Sequence, residues 1–463
     1  MFGRLIEGFR GRLDREIAAF LAAKRAAAAA LAGPEASAWP GGGVAAGGGP
    51  VSGRPAGPGG TVQPTDPTDP TDLTELTGLT PLIDGVGRLI AQGGKRLRPA
   101  LVYYTYRACG GRSEEQVLPL ALATELLHTY LLIHDDIMDH AEVRRGQPAA
   151  HVRFRDLHRA GGLRGDADDF GRSVAILLGD LAHTWAVELF TTATAHRRDA
   201  SGGAAGTPAA SPHDAAELSR CFSAMCEEVI GGQYLEYLLA HRAAGDGAEA
   251  KAPPLPQAAL GAAPAAGGDE RRREAELLRV LRLKSGRYTA ERPIQLGALL
   301  AGASREARAE LSRYGSAVGE AFQLQDDLLG VFGDPAVTGK PVGDDLREGK
   351  FTFLIHHALA KGGAADRQLV AAALGNAELT AAEVARVQQA LERTGARRAV
   401  TAMVAERLAN ARRALAALPA TLGLAAVYPA DPEASASRAG AAAQREGALF
   451  LSGLLDFLWE RER

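Results

Sequence analysis

The residues best placed for chemistry lie in one short stretch, His134-Asp135-Asp136-Ile137-Met138-Asp139, which an apolar run from Leu118 to Ile133 feeds directly. Side chains four apart on a helix share a face, about 5–6 Å apart between Cβ atoms. Asp135 and Asp139 therefore point the same way, with Asp136 beside them. Three carboxylates so close repel one another and call for a cation, and hard oxygen ligands suit Mg²⁺. Taken alone, the cluster could equally be a solvated, charged helix end. A second cluster, Gln323-Leu324-Gln325-Asp326-Asp327, follows about 190 residues later and also ends an apolar helix. Two such ends suggest facing sites that could share metal ions, as helix bundles build them.

Cations accompany the acids. Gly93-Gly94-Lys95-Arg96-Leu97-Arg98-Pro99 sets three positive charges between two glycines and a proline that can start a helix. Freed backbone amides with Lys95 and Arg98 make a phosphate cradle. Arg144-Arg145-Gly146 follows the first acidic cluster, and guanidinium forks suit phosphate oxygens. Lys284-Ser285-Gly286 falls inside a helical run, where glycine is costly unless backbone must come close to something. Gly339-Lys340-Pro341 and Glu348-Gly349-Lys350 flank Asp344-Asp345. A basic turn or a solvated loop would explain any one of these alone. His128 lies two helical turns before Asp135 on the same face and could donate to a second phosphate. His134 and His151 read as structural. Two carboxylate clusters and several cationic spots in an apolar helical bundle fit a substrate with diphosphate at one end and hydrocarbon at the other.

The elements that would position these groups read as helices throughout. Residues 1–32 form an amphipathic helix in which Ile6, Phe9, Leu13, Ile17 and Phe20 recur every three or four residues. That face needs a partner surface, either the rest of the protein or a membrane. Residues 33–72, with two triglycines and repeated Pro-Thr-Asp, form a disordered linker. Residues 73–463 form one large all-α domain, with helices expected over 73–92, 97–109, 114–139, 170–195, 214–242, 270–301, 305–331, 350–361, 365–374, 380–395, 397–417 and 441–461. Tracts rich in Ala, Gly and Pro at 196–213 and 243–268 read as loop insertions. Period-two alternation is nearly absent, and no strand is expected.

Composition sets the remaining bounds. Net charge is −3, from 52 basic and 55 acidic residues, with no general pull toward nucleic acid or anionic membrane. Three cysteines are too few for a disulfide framework and suggest a reducing compartment. No uninterrupted apolar run approaches the ~20 residues of a membrane span. A cytoplasmic protein without stable membrane insertion is expected.

The ordered motifs Gly94-Lys95-x-x-Arg98-Pro99, Asp135-Asp136-x-x-Asp139 with Arg144-Arg145-Gly146, Lys284-Ser285-Gly286, Gln323-x-x-Asp326-Asp327, and Gly339-Lys340 through Asp345 to Lys350 are those of a known family. From about 80 to 360 the chain resembles the trans-polyprenyl diphosphate synthases, which elongate isoprenoids head to tail. The resemblance implies an all-α bundle around a central cavity, a homodimer, and about three Mg²⁺ ions bridging an allylic diphosphate to both acidic clusters. It implies Asp135, Asp139 and Asp326 as metal ligands, with Asp136 and Asp327 as flanking acids of the catalytic set. Arg144, Lys284 with Ser285, Gln323, Lys340 and Lys350 would hold the allylic diphosphate. Lys95, Arg98, His128 and Arg145 would hold isopentenyl diphosphate. The chemistry implied is ionisation, condensation and proton loss to the departing pyrophosphate, with water excluded.

Three departures stand out. Gly330 occupies the position where many members have a third aspartate, and Asp334 could compensate only if the helix continues. The tracts at 33–72 and 243–268 are also longer than the family leads one to expect. Tyr130 lies about 7.5 Å below Asp135 along the helix axis, followed by aliphatic Leu131; side chains at these depths form the floor of the family's tail cavity. One aromatic there points to geranylgeranyl diphosphate as product, with farnesyl diphosphate and then a longer chain as alternatives. A class I terpene cyclase would not need the second diphosphate site, and a non-catalytic synthase subunit would not keep both acidic clusters.

Overall fold

The computed structural model describes residues 1–32, 79–199, 212–243, 268–333, 342–421 and 438–460. The expected linker at 33–72 lies outside them, as do residues 200–211 and 244–267 of the expected insertions. At their edges these insertions are shorter than expected, because helix continues to Asp199 and resumes at Pro212, and again runs to Ala243 and resumes at Gly268.

The described residues are helical almost throughout, as the sequence pattern requires. In chain order they form α1 (Phe2–Ala32), α2 (Thr80–Ala91), α3 (Leu97–Ala108), α4 (Glu114–Met138), α5 (Ala150–Ala160), α6 (Ala167–Asp199), α7 (Pro212–Ala243), α8 (Gly268–Val280), a π-helical segment (Leu281–Glu291), α9 (Arg292–Leu300) and α10 (Arg305–Phe332). There follow α11 (Asp344–Arg347), α12 (Phe353–Lys361), α13 (Ala364–Ala373), α14 (Ala381–Arg393), α15 (Ala396–Thr421) and α16 (Arg438–Glu460). Local chemistry sets several starts. Ser304 accepts a hydrogen bond from the Ala307 amide to cap α10, and Thr380 with Glu383 forms a reciprocal capping box on α14.

Two features were not expected. A hairpin of two-residue strands, β1 (Val143–Arg144) and β2 (Gln147–Pro148), interrupts the helices. Arg145 and Gly146 at its turn have φ of 52° and 74°, the paired positive angles of a tight hairpin turn. Helix α5 also went unread, because Arg153, Arg155 and Arg159 dilute the apolar face on which Ala150, Val152 and Phe154 are buried.

The chain forms two compact units. One comprises Met1–Leu13, Gly93–Leu127 and Trp185–Arg463; the other comprises Asp14–Gln92 and His128–Thr184. In the first, Phe9, Tyr103, Tyr104 and Phe450 form a buried aromatic cluster, and the Tyr104 and Phe450 rings stack 4.2 Å apart. Helix α10 packs chiefly on α15 and the π-helical segment. In the second, Arg25 of α1 pairs with Asp84 of α2 at 2.7 Å, and the His134 ring reaches the Ile176 carbonyl of α6. The apolar face of α1 is used inside the protein: Phe9, Leu13, Ile17 and Leu21 are all buried.

Two helices are long and apolar enough to cross a membrane by length and composition, α4 and the Ala167–Ala195 part of α6. Polar residues scattered through each helix interrupt its apolar run, in line with the absence of an uninterrupted run in the sequence. A core helix passes the same test, and 67% of the apolar window of α4 is buried.

The π-helical segment does come close to α10 at Gly286, but the glycine this approach requires is Gly319, since a Cβ on Gly286 would meet nothing nearer than 3.3 Å. A Cβ on Gly319 of α10 would lie 2.1 Å from the Gly286 carbonyl oxygen, so the two backbones touch with nothing between them. Gly319→Ala is expected to cost about 1–3 kcal/mol through overpacking, measured as a lower melting temperature. An unchanged melting temperature would show that the backbones are not this close.

Candidate active site

The first unit gathers four sequence-distant segments. Lys95 places its ammonium 5.3 Å from the centroid of the Phe322 ring on α10, and Arg98 stacks on Tyr288 at 4.3 Å while donating to Thr289 Oγ1 at 2.8 Å. The Gly-Gly-Lys-Arg turn is thus tied both to α10 and to the π-helical segment that carries Lys284 and Ser285. Arg96, between the two proposed phosphate ligands, is buried and ion-paired to Glu125. It holds the turn from below, with a left-handed φ of 49°.

The second acidic cluster sits on the last turns of α10. The side-chain amide of Gln323 donates to Asp327 Oδ1 at 2.7 Å, an i,i+4 bond along the helix. Burial, the charge of Asp345 and that of Asp326 push the Asp327 carboxyl up to about 8, while the Gln323 bond opposes them. Lys350 is ion-paired to Asp345 at 3.2 Å and also to Glu348. Burial works to lower its pKa, but Asp345, Glu348 and Glu236 overcome this and hold it well above the usual lysine range. Lys340 and Asp334 lie outside the described residues. Helix α10 ends at Phe332, and Gly333 turns to extended backbone.

Sequence reasoning missed Glu236. Its carboxylate pairs with Lys284, so α7 supplies the counter-charge for the π-helical segment. The available signal was Gly231-Gly232-Gln233, two glycines inside a helix with an acid one turn later. A Cβ on Gly232 would lie 2.3 Å from the Lys284 backbone nitrogen, which explains the close approach.

The second unit carries the first acidic cluster. Asp135 and Asp139 are half-buried, one turn apart at the end of α4, where the Asp139 amide donates to the Asp135 carbonyl. Asp136 differs: it is 2% exposed and accepts from Arg144 Nε at 2.8 Å. Burial raises its pKa, against the pull of Arg144. The hairpin therefore exists to turn Arg144 back onto the acidic helix end, where it also lies 3.9 Å from Asp135. Arg145 takes the turn beside it. His128 and Leu131 are half-buried on α4. The Tyr130 ring packs against His134 at 4.7 Å and His183 at 5.1 Å.

Among the described residues no three His, Cys, Asp or Glu side chains form a closed metal cage. The donors fit Mg²⁺ nonetheless. They are carboxylate oxygens at helix ends, and Mg²⁺ is commonly held by one or two carboxylates plus substrate phosphates.

This all-α architecture, with acidic helix ends opposed by lysine and arginine, defines the class to which the sequence comparisons also point. The family model for polyprenyl synthetase matches residues 81–393, and the chain belongs to that family of prenyltransferases. It is 34% identical over 279 residues to geranylfarnesyl diphosphate synthase of Aeropyrum pernix, covering 59% of this chain and 69% of that protein. It is 32% identical over 330 residues to geranylgeranyl diphosphate synthase of Mycobacterium tuberculosis, covering 70% and 75%. Other relatives are covered over 64–82% of their length. Geranylgeranyl pyrophosphate synthase of Corynebacterium glutamicum, solved with isoprenyl diphosphate and magnesium, superposes with a TM-score of 0.61 at 30% identity, covering 81% of this chain and 90% of that one.

The burial of Asp136 separates it from its neighbours. Asp136→Ala is expected to strand Arg144 and cost about 3 kcal/mol, whereas Asp135→Ala should leave the melting temperature near that of the wild type. The reverse order would make Asp135 the structural acid.

Proposed function

We propose that this polyprenyl synthetase condenses isopentenyl diphosphate with an allylic diphosphate to make a short-chain trans-polyprenyl diphosphate, with geranylgeranyl diphosphate as the main product. The observation that carries the reading is the gathering of Lys95 and Arg98, Lys284 and Ser285, Gln323 to Asp327, and Lys350 in one compact unit. A multiply charged anionic substrate accounts for this many cations beside carboxylates.

Asp135, Asp139 and Asp326 hold the magnesium, about three ions by family resemblance. When bound, these ions neutralise the charge that builds on the leaving diphosphate. Lys284, Ser285, Gln323, Lys340 and Lys350 orient the allylic diphosphate, and Arg144 holds Asp136 and Asp135 in place while it contacts the same group. Lys95, Arg98, His128 and Arg145 hold the diphosphate of isopentenyl diphosphate, so that its double bond meets the allylic carbon. Apolar helix faces exclude the water that would trap an allylic cation. The proton lost after condensation goes to the departing pyrophosphate, and no protein base is required.

Tyr130 forms the floor against which the growing tail stops. Its ring is braced by two imidazoles, which supports a fixed depth and hence a defined product length. The protein acts as a homodimer; Ile176 and Leu177 of α6, 44% and 57% exposed, offer an apolar face for a second copy. Its three free cysteines fit a reducing cytoplasm.

The test is a radiolabelled condensation assay with Mg²⁺, isopentenyl diphosphate and each of dimethylallyl, geranyl and farnesyl diphosphate. One elongated product, geranylgeranyl in length, is expected; no elongation with any starter would overturn the reading. Asp135→Ala should reduce turnover at least ~10²-fold, the effect of losing one preorganised electrostatic group. Tyr130→Ala should lengthen the product, and an unchanged product would remove Tyr130 from the floor.

A further inference from the structure

The second acidic cluster lacks the aspartate that would sit one turn after Asp326, and the structure shows what takes its place. A Cβ on Gly330 would lie 1.9 Å from Asp345 Oδ2 and 2.5 Å from Asp345 Cγ. The space a side chain at 330 would fill already holds a carboxylate, delivered from α11. The delivery is anchored at both ends of the approach. The Gly343 amide, at a left-handed φ of 78° just before α11, donates to the Gly330 carbonyl at 3.2 Å. Lys350 Nζ holds Asp345 Oδ1 at 3.2 Å, which leaves Oδ2 directed at position 330.

Position 330 is four residues after Asp326 and so shares its face of α10. In the first cluster that same spacing relates Asp135 and Asp139, both from one helix. We infer that Asp345 supplies the i+4 carboxylate of the second magnesium-binding cluster, and that Gly330 is glycine so that Asp345 can enter. This assignment rests on reading Asp326 as a magnesium ligand.

The alternative role for Asp345 is that of a counter-ion for Lys350 alone. A carboxylate exchange between the two positions separates these roles. Mg²⁺ binding to the full chain is measured by isothermal titration calorimetry with saturating inorganic pyrophosphate, and each variant is melted in parallel without metal. Asp345→Ala is expected to weaken Mg²⁺ binding about tenfold or more, the usual loss when a residue supporting a metal site is removed. Gly330→Asp alone is expected to melt lower, because its side chain meets the carboxylate already there. Gly330→Asp with Asp345→Ala is expected to regain most of the lost Mg²⁺ affinity, since the acid returns on α10 itself. A pure counter-ion of Lys350 would not be replaced from position 330. Wild-type Mg²⁺ affinity in Asp345→Ala, with weakened binding in Asp326→Asn, would overturn the inference and leave the parent reading standing. Unchanged binding in Asp326→Asn would overturn the parent reading and the inference with it.

Discussion

Carboxylates placed close together at the ends of apolar helices must be held by fixed cations, or they repel one another and take up protons. That constraint organises both acidic clusters. Asp136 is buried, which raises its pKa, and a two-stranded hairpin brings Arg144 onto it to oppose that shift. Asp327 is half-buried beside like charges, and its carboxyl is pushed up accordingly, with the Gln323 amide opposing the shift. Lys284 is matched by Glu236, and Lys350 by Asp345 and Glu348. The protein binds its own cations to its own acids before any substrate arrives. On the proposed function, a magnesium diphosphate entering such a site would exchange one set of ion pairs for another instead of meeting bare charge, which would limit the desolvation cost of holding the residues ready.

Backbone proximity is the second requirement. The π-helical segment packs so closely on α10 at Gly319 and on α7 at Gly232 that no Cβ fits between the backbones. Because the π segment and α10 carry Lys284 and the second acidic cluster, this contact fixes cation and acid relative to each other without help from flexible side chains. A wider π turn also lets Lys284, Ser285 and Tyr288 sit at spacings an α-helix would not give. The same logic recurs at Gly330, where the missing side chain admits a carboxylate from elsewhere.

The apolar architecture around these groups is robust by comparison. Phe9, Tyr103, Tyr104 and Phe450 bury large rings from three helices, and α10 is clad by α15 and the π segment. The Glu228 carboxylate ties Arg287 and Arg292 at 2.6 Å, so the helix leaving the π segment is also charge-locked. Arginines on both sides hold that carboxyl below the usual range despite the burial that opposes them.

The sequence by itself determined the helical class, the order of the motifs and the residues that carry charge. These follow from local periodicity and from residue types at short spacing, which survive without knowledge of the fold. Asp135 with Asp139 was legible because four residues make one helical turn. Gly286 was legible as a close approach because nothing else justifies glycine inside a helix. Only the tertiary structure decided which charges meet. Glu236 reaches Lys284 across 48 residues, and Asp345 fills the space at Gly330 from a separate short helix. It also turned Asp136 inward while Asp135 and Asp139 stayed only half-buried at the same helix end. Such pairings depend on packing between elements distant in the chain, and no local pattern of residue types encodes the distance at which two backbones come to rest.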